Sequence, residues 1–127
     1  MKVEVSNGEL VDKVSILRIK LNKIKSEEKL KNVRAEFDIL FEEMKKLGIN
    51  ENTEEFKELI KVNTDLWEIE DKIRVKELDQ EFDEEFIELA RSVYIQNDKR
   101  FELKKKINAA TNSSLFEEKE YVDYKNK

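Results

Sequence analysis

The scarcity of turn-forming residues constrains the fold of this chain more than any other feature of its sequence. Its 127 residues include no proline and only two glycines. Sandwiches and barrels need frequent tight turns, whereas a few long helices need very few. Charged residues make up 43% of the chain, and most of them are Lys and Glu, which favour helices. The sequence therefore predicts an all-α protein.

Apolar residues recur at helical spacing along most of the chain, and two cap signals divide its first third. Ser6 and Glu9 have the spacing of a capping box, which predicts the start of a first helix. The apolar pattern then lapses over residues 25–29, where Ser26 is a favourable cap residue. We expect a break near Ser26, with one continuous helix to Leu47 as the alternative.

Two further helices are predicted after a clear loop. Gly48 stands where a left-handed, helix-ending residue is expected, and Asn52 with Glu55 repeats the capping-box spacing. The apolar pattern that follows continues to about Leu78. Asp83 is then placed to cap a last long helix.

The two ends of the chain are predicted to differ from its helical middle. Residues 1–6 alternate valine with charged side chains, which indicates a short extended N-terminal arm. The last long helix should end near Ala110, and residues 111–127 are predicted to form a turn, a short helix that begins at Ser114, and a tail. Because no linker or repeat divides the chain, we expect residues 1–127 to be a single helical domain.

Short loops place helices that follow each other in the chain side by side and antiparallel. The predicted architecture is therefore an up-and-down antiparallel helical bundle. It has three long helices, or four if the chain breaks near Ser26.

Composition narrows the range of functions. The chain has no cysteine and no histidine, which removes thiol nucleophiles, zinc sites and imidazole acids or bases. The net charge of −5, with both signs mixed along the chain, gives no reason to expect a nucleic-acid partner. No apolar run is long enough to cross a bilayer and no signal-peptide core follows Met1, so we expect a cytoplasmic protein without membrane insertion.

Polar residues on the predicted inner face of the last two helices form the candidate site. If these helices fold back about residues 79–80, Asn63 faces Asn97 and Glu70 faces Arg91. The favoured interpretation is that these are polar pairs that fix the helix register. The alternative is a ligand-binding pocket. Its candidate residues are Asn63, Trp67, Glu70, Asp71, Arg74, Arg91, Tyr94, Asn97, Asp98 and Arg100.

In the pocket interpretation each residue type has a role. The three arginines would meet anionic oxygens, and Trp67 and Tyr94 would form one aromatic wall that stacks on a ring. The carboxylates would hold hydroxyl groups or a magnesium ion. Glu9 with Asp12 has one-turn spacing suited to Mg²⁺, but such pairs arise by chance in a chain with thirty acidic residues. We therefore expect a solvated face there and predict no metal site and no cofactor.

Three runs of the chain, taken together, resemble a family of short bacterial and bacteriophage proteins known as a domain of unknown function. They are VSNGELVDKVSIL (residues 5–17), LWEIEDKIR (66–74) and FIELARSVY (86–94) with Asn97 and Asp98. The resemblance implies an all-helical, stand-alone protein and supplies no activity, cofactor or catalytic residue.

Two functions are compatible with these patterns. The first is a non-catalytic interaction or assembly module, with a homodimer as one expected state. The alternative is a binding protein or enzyme for a phosphorylated or sugar-like small molecule, held in a polar pocket between the helices. The two differ in whether the candidate residues converge on one cavity.

Overall fold

The computed structural model describes residues 1–125, so the last two residues of the predicted tail lie outside it. Residues 1–6 form neither helix nor strand, and no strand is present elsewhere in the described chain. The all-α prediction is confirmed, in its four-helix form. The helices are α1 (Asn7–Lys23), α2 (Glu27–Lys45), α3 (Glu54–Leu78) and α4 (Glu84–Ala110).

Three of the four helices begin at the residues that the sequence indicated. Ser6 and Asp83 each accept a hydrogen bond from a backbone amide of the first turn, and so begin α1 and α4. Ser26 caps α2 in the same way through the amide of Lys29 (3.4 Å). Ile24 has an extended backbone (φ −77°, ψ 136°) and ends α1. The predicted break near Ser26 is therefore confirmed, and the alternative of one continuous helix to Leu47 is wrong.

The loop before α3 differs from its prediction at the cap. Gly48 is in the left-handed region (φ +79°), as expected for a residue that follows a helix. The cap of α3, however, is Thr53 rather than Asn52. The Thr53 hydroxyl accepts from the amide of Asn50 (3.0 Å), and the Asn50 side chain accepts from the amide of Asn52 (2.8 Å). The loop thus uses these polar groups to close its own turn.

The short helix predicted after α4 is wrong. Residues 115–123 contain no helix and run back along α4. Glu117 forms an ion pair with Lys104 (2.9 Å), and the Tyr124 hydroxyl donates to Asp98 (2.7 Å). These side-chain contacts hold the segment against α4, and its residues are mostly exposed, so its backbone groups can bond to water.

The other three helices assemble around α1. It packs against α2, α3 and α4, whereas within the described residues α2 packs against α1 alone. Lys13 and Glu36 (3.7 Å) link α1 to α2, and Lys76 and Asp83 (2.9 Å) link α3 to α4. The chain thus forms two antiparallel hairpins, which confirms the predicted antiparallel bundle. Contrary to the expectation for helices that follow each other in the chain, α2 and α3 do not lie side by side.

The hydrophobic core occupies one end of this bundle. It is built from α1, the end of α2 and its following loop, the first part of α3 and the last part of α4. None of residues 64–102 is buried. The buried apolar residues are Val11, Val14, Leu17, Ile19, Met44, Ile49, Phe56, Leu59, Val62, Leu103 and Ile107.

The α3–α4 hairpin extends beyond the rest of the bundle. The last residue of α1, Lys23, lies beside Glu68 of α3 (3.8 Å), and α3 continues for ten residues past that point. At 1.5 Å per residue this is a projection of about 15 Å. We call residues 69–92 the projecting hairpin. Four of its large apolar side chains are more than half exposed: Val75, Leu78, Phe82 and Ile87.

Close approach of α1 and α4 requires glycine at position 8. The amide of Gly8 donates to the Asn108 side chain (2.6 Å), and a methyl group at Gly8 would collide with the carbonyl oxygen of Lys104. That oxygen belongs to the backbone of α4, so it has little freedom to move aside.

We expect Gly8→Ala to lower the free energy of unfolding by about 3 kcal/mol, because the helices must separate to admit the methyl group. Gly48→Ala is the control, since no atom lies near that position and only its left-handed backbone is penalised, by about 1 kcal/mol. Urea denaturation of both variants measures the difference. Equal losses would contradict the close approach.

Candidate functional site

A buried ion pair joins α1 to α4. Asp12 is 1% exposed, the lowest value for any charged residue among those described. The Arg100 guanidinium donates to both of its oxygens, from Nε to Oδ1 (2.9 Å) and from Nη2 to Oδ2 (2.6 Å). These hydrogen bonds raise the pKa of Arg100 above its usual value, against the opposing effect of burial. The two-pronged geometry is what makes a carboxylate tolerable in the interior.

The same carboxylate also holds α3. The Asn63 amide nitrogen donates to Asp12 Oδ1 (2.9 Å) and to Ser15 Oγ (2.8 Å), and the Ser15 hydroxyl donates to the backbone oxygen of Asp12 (2.6 Å). The predicted Asn63–Asn97 pair is therefore wrong, because both amide hydrogens of Asn63 are directed at α1. Three helices meet at Asp12.

A second ionic contact lies one turn further along α4. Lys104 is buried and pairs with Glu9 of α1 (2.8 Å) and with Glu117 of the C-terminal segment (2.9 Å). Burial lowers the pKa of Lys104, but the hydrogen bonds to Glu9 and Glu117, together with the nearby charges of Asp12 and Glu9, give a net shift upward. The interface of α1 and α4 is thus polar from Gly8 to Asp12.

An open cleft of about 420 Å³ lies next to this ion pair, between α1 and the α3–α4 hairpin. Six of the ten candidate site residues line it, together with three apolar side chains. The candidates are Asn63, Trp67, Glu70, Asp71, Asn97 and Arg100, and the apolar residues are Ile16, Ile19 and Leu66.

Two candidate arginines lie outside this cleft, on the surface. Arg74 is exposed and pairs with Glu70 one turn away (3.6 Å), and Arg91 is exposed and pairs with Glu88 (3.1 Å). The predicted Glu70–Arg91 pair is therefore wrong. At this level of the bundle none of the described helices covers the hairpin, so each charge pairs within its own helix instead of across a buried interface.

The remaining two candidates contact the C-terminal segment. Tyr94 packs edge-on against Tyr124 (ring centroids 5.1 Å apart), and Asp98 accepts from the Tyr124 hydroxyl (2.7 Å). Neither residue lines the cleft that contains Trp67, so the expected aromatic wall of Trp67 and Tyr94 is wrong. The helix periodicity alone did not reveal that a nonhelical segment would cover this side of α4.

Sequence reasoning missed Asp12 and Ser15 and assigned Asp12 to a solvated face. A signal was nevertheless present, because Gly8, Asp12, Ser15 and Ile19 are spaced by four, three and four residues. This spacing places them on one face of α1. Glycine and serine on that face indicate close helix packing. A carboxylate among them requires a buried partner.

The carboxylates with magnesium spacing on α1 are already engaged. Glu9 pairs with Lys104 and Asp12 with Arg100. Among the described residues, no group of three or more acidic side chains is arranged to hold a metal ion. Over the same residues, no helix combines the length and the apolar character needed to cross a membrane.

The fold and the site define a class: a small four-helix protein whose helices meet at a buried Asp–Arg pair beside an open cleft. The chain belongs to the family of unknown function DUF6165, whose family model matches residues 1–125. The resemblance seen in the sequence is thereby confirmed. No curated protein and no solved structure matches the chain.

We expect Arg100→Ala to lower the free energy of unfolding by about 3–5 kcal/mol, because it leaves the Asp12 carboxylate buried without its cation. Arg91→Ala, which removes an exposed pair, is the matched control and should cost less than about 1 kcal/mol. Chemical denaturation of both variants is the measurement. A similar small loss in both would place Asp12 in contact with water.

The Tyr124–Asp98 hydrogen bond gives a pH-dependent signal. It raises the pKa of Tyr124 to about 12, with the Asp98 hydrogen bond as the main cause. Because the folded-state pKa is raised, this contact stabilises the fold fully below about pH 10 and is lost as the pH rises toward 12. Absorbance titration should show a late tyrosine ionisation that moves to lower pH in Asp98→Asn. An unchanged titration curve would contradict the contact.

Proposed function

We propose that this protein is a non-catalytic interaction module that binds another polypeptide through its projecting hairpin. The observation that carries the proposal is the distribution of burial. None of residues 64–102 is buried, and four large apolar side chains of the projecting hairpin are more than half exposed. Grouped exposed apolar side chains on a soluble protein are typical of an interaction surface.

The polar network favours a structural role over a catalytic one. Within residues 1–125, the buried ionisable residues are Asp12 and Lys104, and each pairs with oppositely charged side chains of this chain. The sequence supplies no cysteine or histidine to act as nucleophile or base. The network therefore serves to hold the base of the projecting hairpin against α1.

Ion pairs around Lys76 hold the turn at the end of the projecting hairpin. Lys76 lies within 3.3 Å of three carboxylates, those of Glu81, Asp83 and Glu85. These contacts raise the pKa of Lys76, with the Asp83 hydrogen bond as the largest cause. They close the turn between α3 and α4 without a buried core. A defined turn presents the exposed apolar residues in a fixed arrangement.

Photo-cross-linking tests this proposal. A photo-reactive amino acid replaces Leu78 of the projecting hairpin, and the control carries it at Ile39, an apolar residue of α2 that is also exposed. We expect irradiation of cells that make the protein to give defined cross-linked polypeptides from position 78 and none from position 39. No product from position 78, or equal products from both, would overturn the proposal.

The cleft supports a second candidate function, the binding of a sugar-like small molecule. Trp67 offers a ring beside the carboxylates of Glu70 and Asp71 and the amide of Asn97. Arg100 is the single cation among the lining residues, and its guanidinium is already paired with Asp12. The cleft is thus better suited to hydroxyl groups than to a phosphate.

Fluorescence of Trp67, the sole tryptophan, tests this second candidate. We expect saturable changes with a panel of neutral monosaccharides and amino sugars, and weaker ones with their phosphates. Asp71→Asn should weaken the response several-fold, whereas Asp98→Asn, on another side of α4, should leave it unchanged. Emission that does not respond to any of these sugars would remove the candidate.

A further inference from the structure

The projecting hairpin lacks a packing partner among the described residues, and we propose that this partner is a second copy of the chain, packed with its own hairpin antiparallel to the first. This inference rests on the proposed function and specifies its partner. The two hairpins would then form a four-helix unit across a two-fold axis. Each would cover the apolar side chains of the other, including Val75 and Leu78.

The position of the α1–α2 connection in one chain determines which regions of two chains meet when their hairpins pack antiparallel. α1 ends beside Glu68, so the connection between α1 and α2 lies at the base of the projecting hairpin. The hairpin extends about 15 Å from that level. When two such hairpins lie side by side in opposite directions, the end of each reaches the α1–α2 connection of the other.

The charges of these two regions are opposite. Residues 77–88, which we call the acidic tip, contain seven carboxylates and no basic residue. Three of these carboxylates pair with the adjacent Lys76, and the net charge remains −6 when that lysine is included. Residues 20–34, which we call the basic turn, contain six basic and two acidic residues around the α1–α2 connection. An antiparallel pair therefore places the acidic tip of one copy against the basic turn of the other, twice. Such self-complementarity is what a two-fold interface requires.

Charge also disfavours the parallel packing of two hairpins. Residues 69–92 contain nine acidic and four basic residues, a net charge of −5 that equals the net charge of the whole chain. Two hairpins packed in parallel would bring the two acidic tips together, and like charges at close range repel. The antiparallel pairing covers the same apolar residues without that repulsion.

Reciprocal charge reversal tests the arrangement. The tip variant changes the net charge of residues 77–88 from −7 to +1 through Glu77→Lys, Asp79→Lys, Glu84→Lys and Glu88→Lys. The turn variant changes that of residues 20–34 from +4 to −2 through Lys25→Glu, Lys29→Glu and Lys31→Glu. All seven positions are exposed. We expect sedimentation equilibrium to show a wild-type dimer and at least tenfold weaker dimerisation of each variant alone, because the two-fold axis doubles every reversal.

Mixing the two variants gives the decisive result. In a mixed dimer, the reversed tip meets the reversed turn and the native tip meets the native turn, so both contacts are attractive. We expect the equimolar mixture to recover dimerisation to within a few-fold of wild type. Recovery also shows that both variants are folded. Higher salt should weaken the wild-type dimer, since it screens these exposed charges.

Three outcomes would overturn the inference. A monomeric wild-type protein would exclude the second copy, and a mixture that stays monomeric would exclude the contact between acidic tip and basic turn. A tip variant that dimerises more strongly than wild type would indicate parallel hairpins. If the wild-type protein is monomeric but position 78 cross-links to other polypeptides, the second copy is excluded and the proposed function stands. If position 78 gives no cross-links at all, both the proposed function and this inference are excluded.

Discussion

The fold depends on how one buried carboxylate is compensated. Asp12 lies where three helices meet, and removing a carboxylate from water costs several kcal/mol unless its charge and hydrogen-bonding capacity are matched. Arg100 matches the charge from α4, and Asn63 adds a donor from α3. A shift of α1 along α3 or α4 would separate Asp12 from these partners and leave its carboxylate buried without them. The network therefore opposes such shifts, in addition to the stabilisation that the core supplies.

The helices were predictable from the sequence because their boundaries are local. Ser26 and Asp83 cap their helices through amides three residues away, and a pattern in one segment suffices to recognise them. The partners of Glu70 and Arg91 were not predictable in this way. They depend on whether α1 reaches that level of the hairpin, and it ends beside Glu68. Burial, rather than helix periodicity, decides whether such charges pair across helices.

The candidate site likewise combines features that the pattern of one segment predicts with contacts between segments that it does not predict. Trp67 and Asn97, both candidates from the pattern along the α3–α4 hairpin, line one cleft because both lie on the α1 side of the hairpin. The contacts with α1 were not predictable from this hairpin alone, because it is Asp12 of α1 that accepts the hydrogen bonds of Asn63 and Arg100. The contact of Tyr124 with α4 was not predictable either, since a nonhelical segment carries no periodicity. Contacts between distant segments are set by the whole fold.

The confinement of the core to one end of the bundle has an evolutionary consequence. Because none of residues 69–92 is buried or packs against the core, the projecting hairpin can change length without altering a core contact. Matched insertions or deletions of two helical turns in α3 and α4 would keep their facing residues aligned. The reach of this surface is thus free to vary among related chains, whereas the spacing from Gly8 to Ile19 is not.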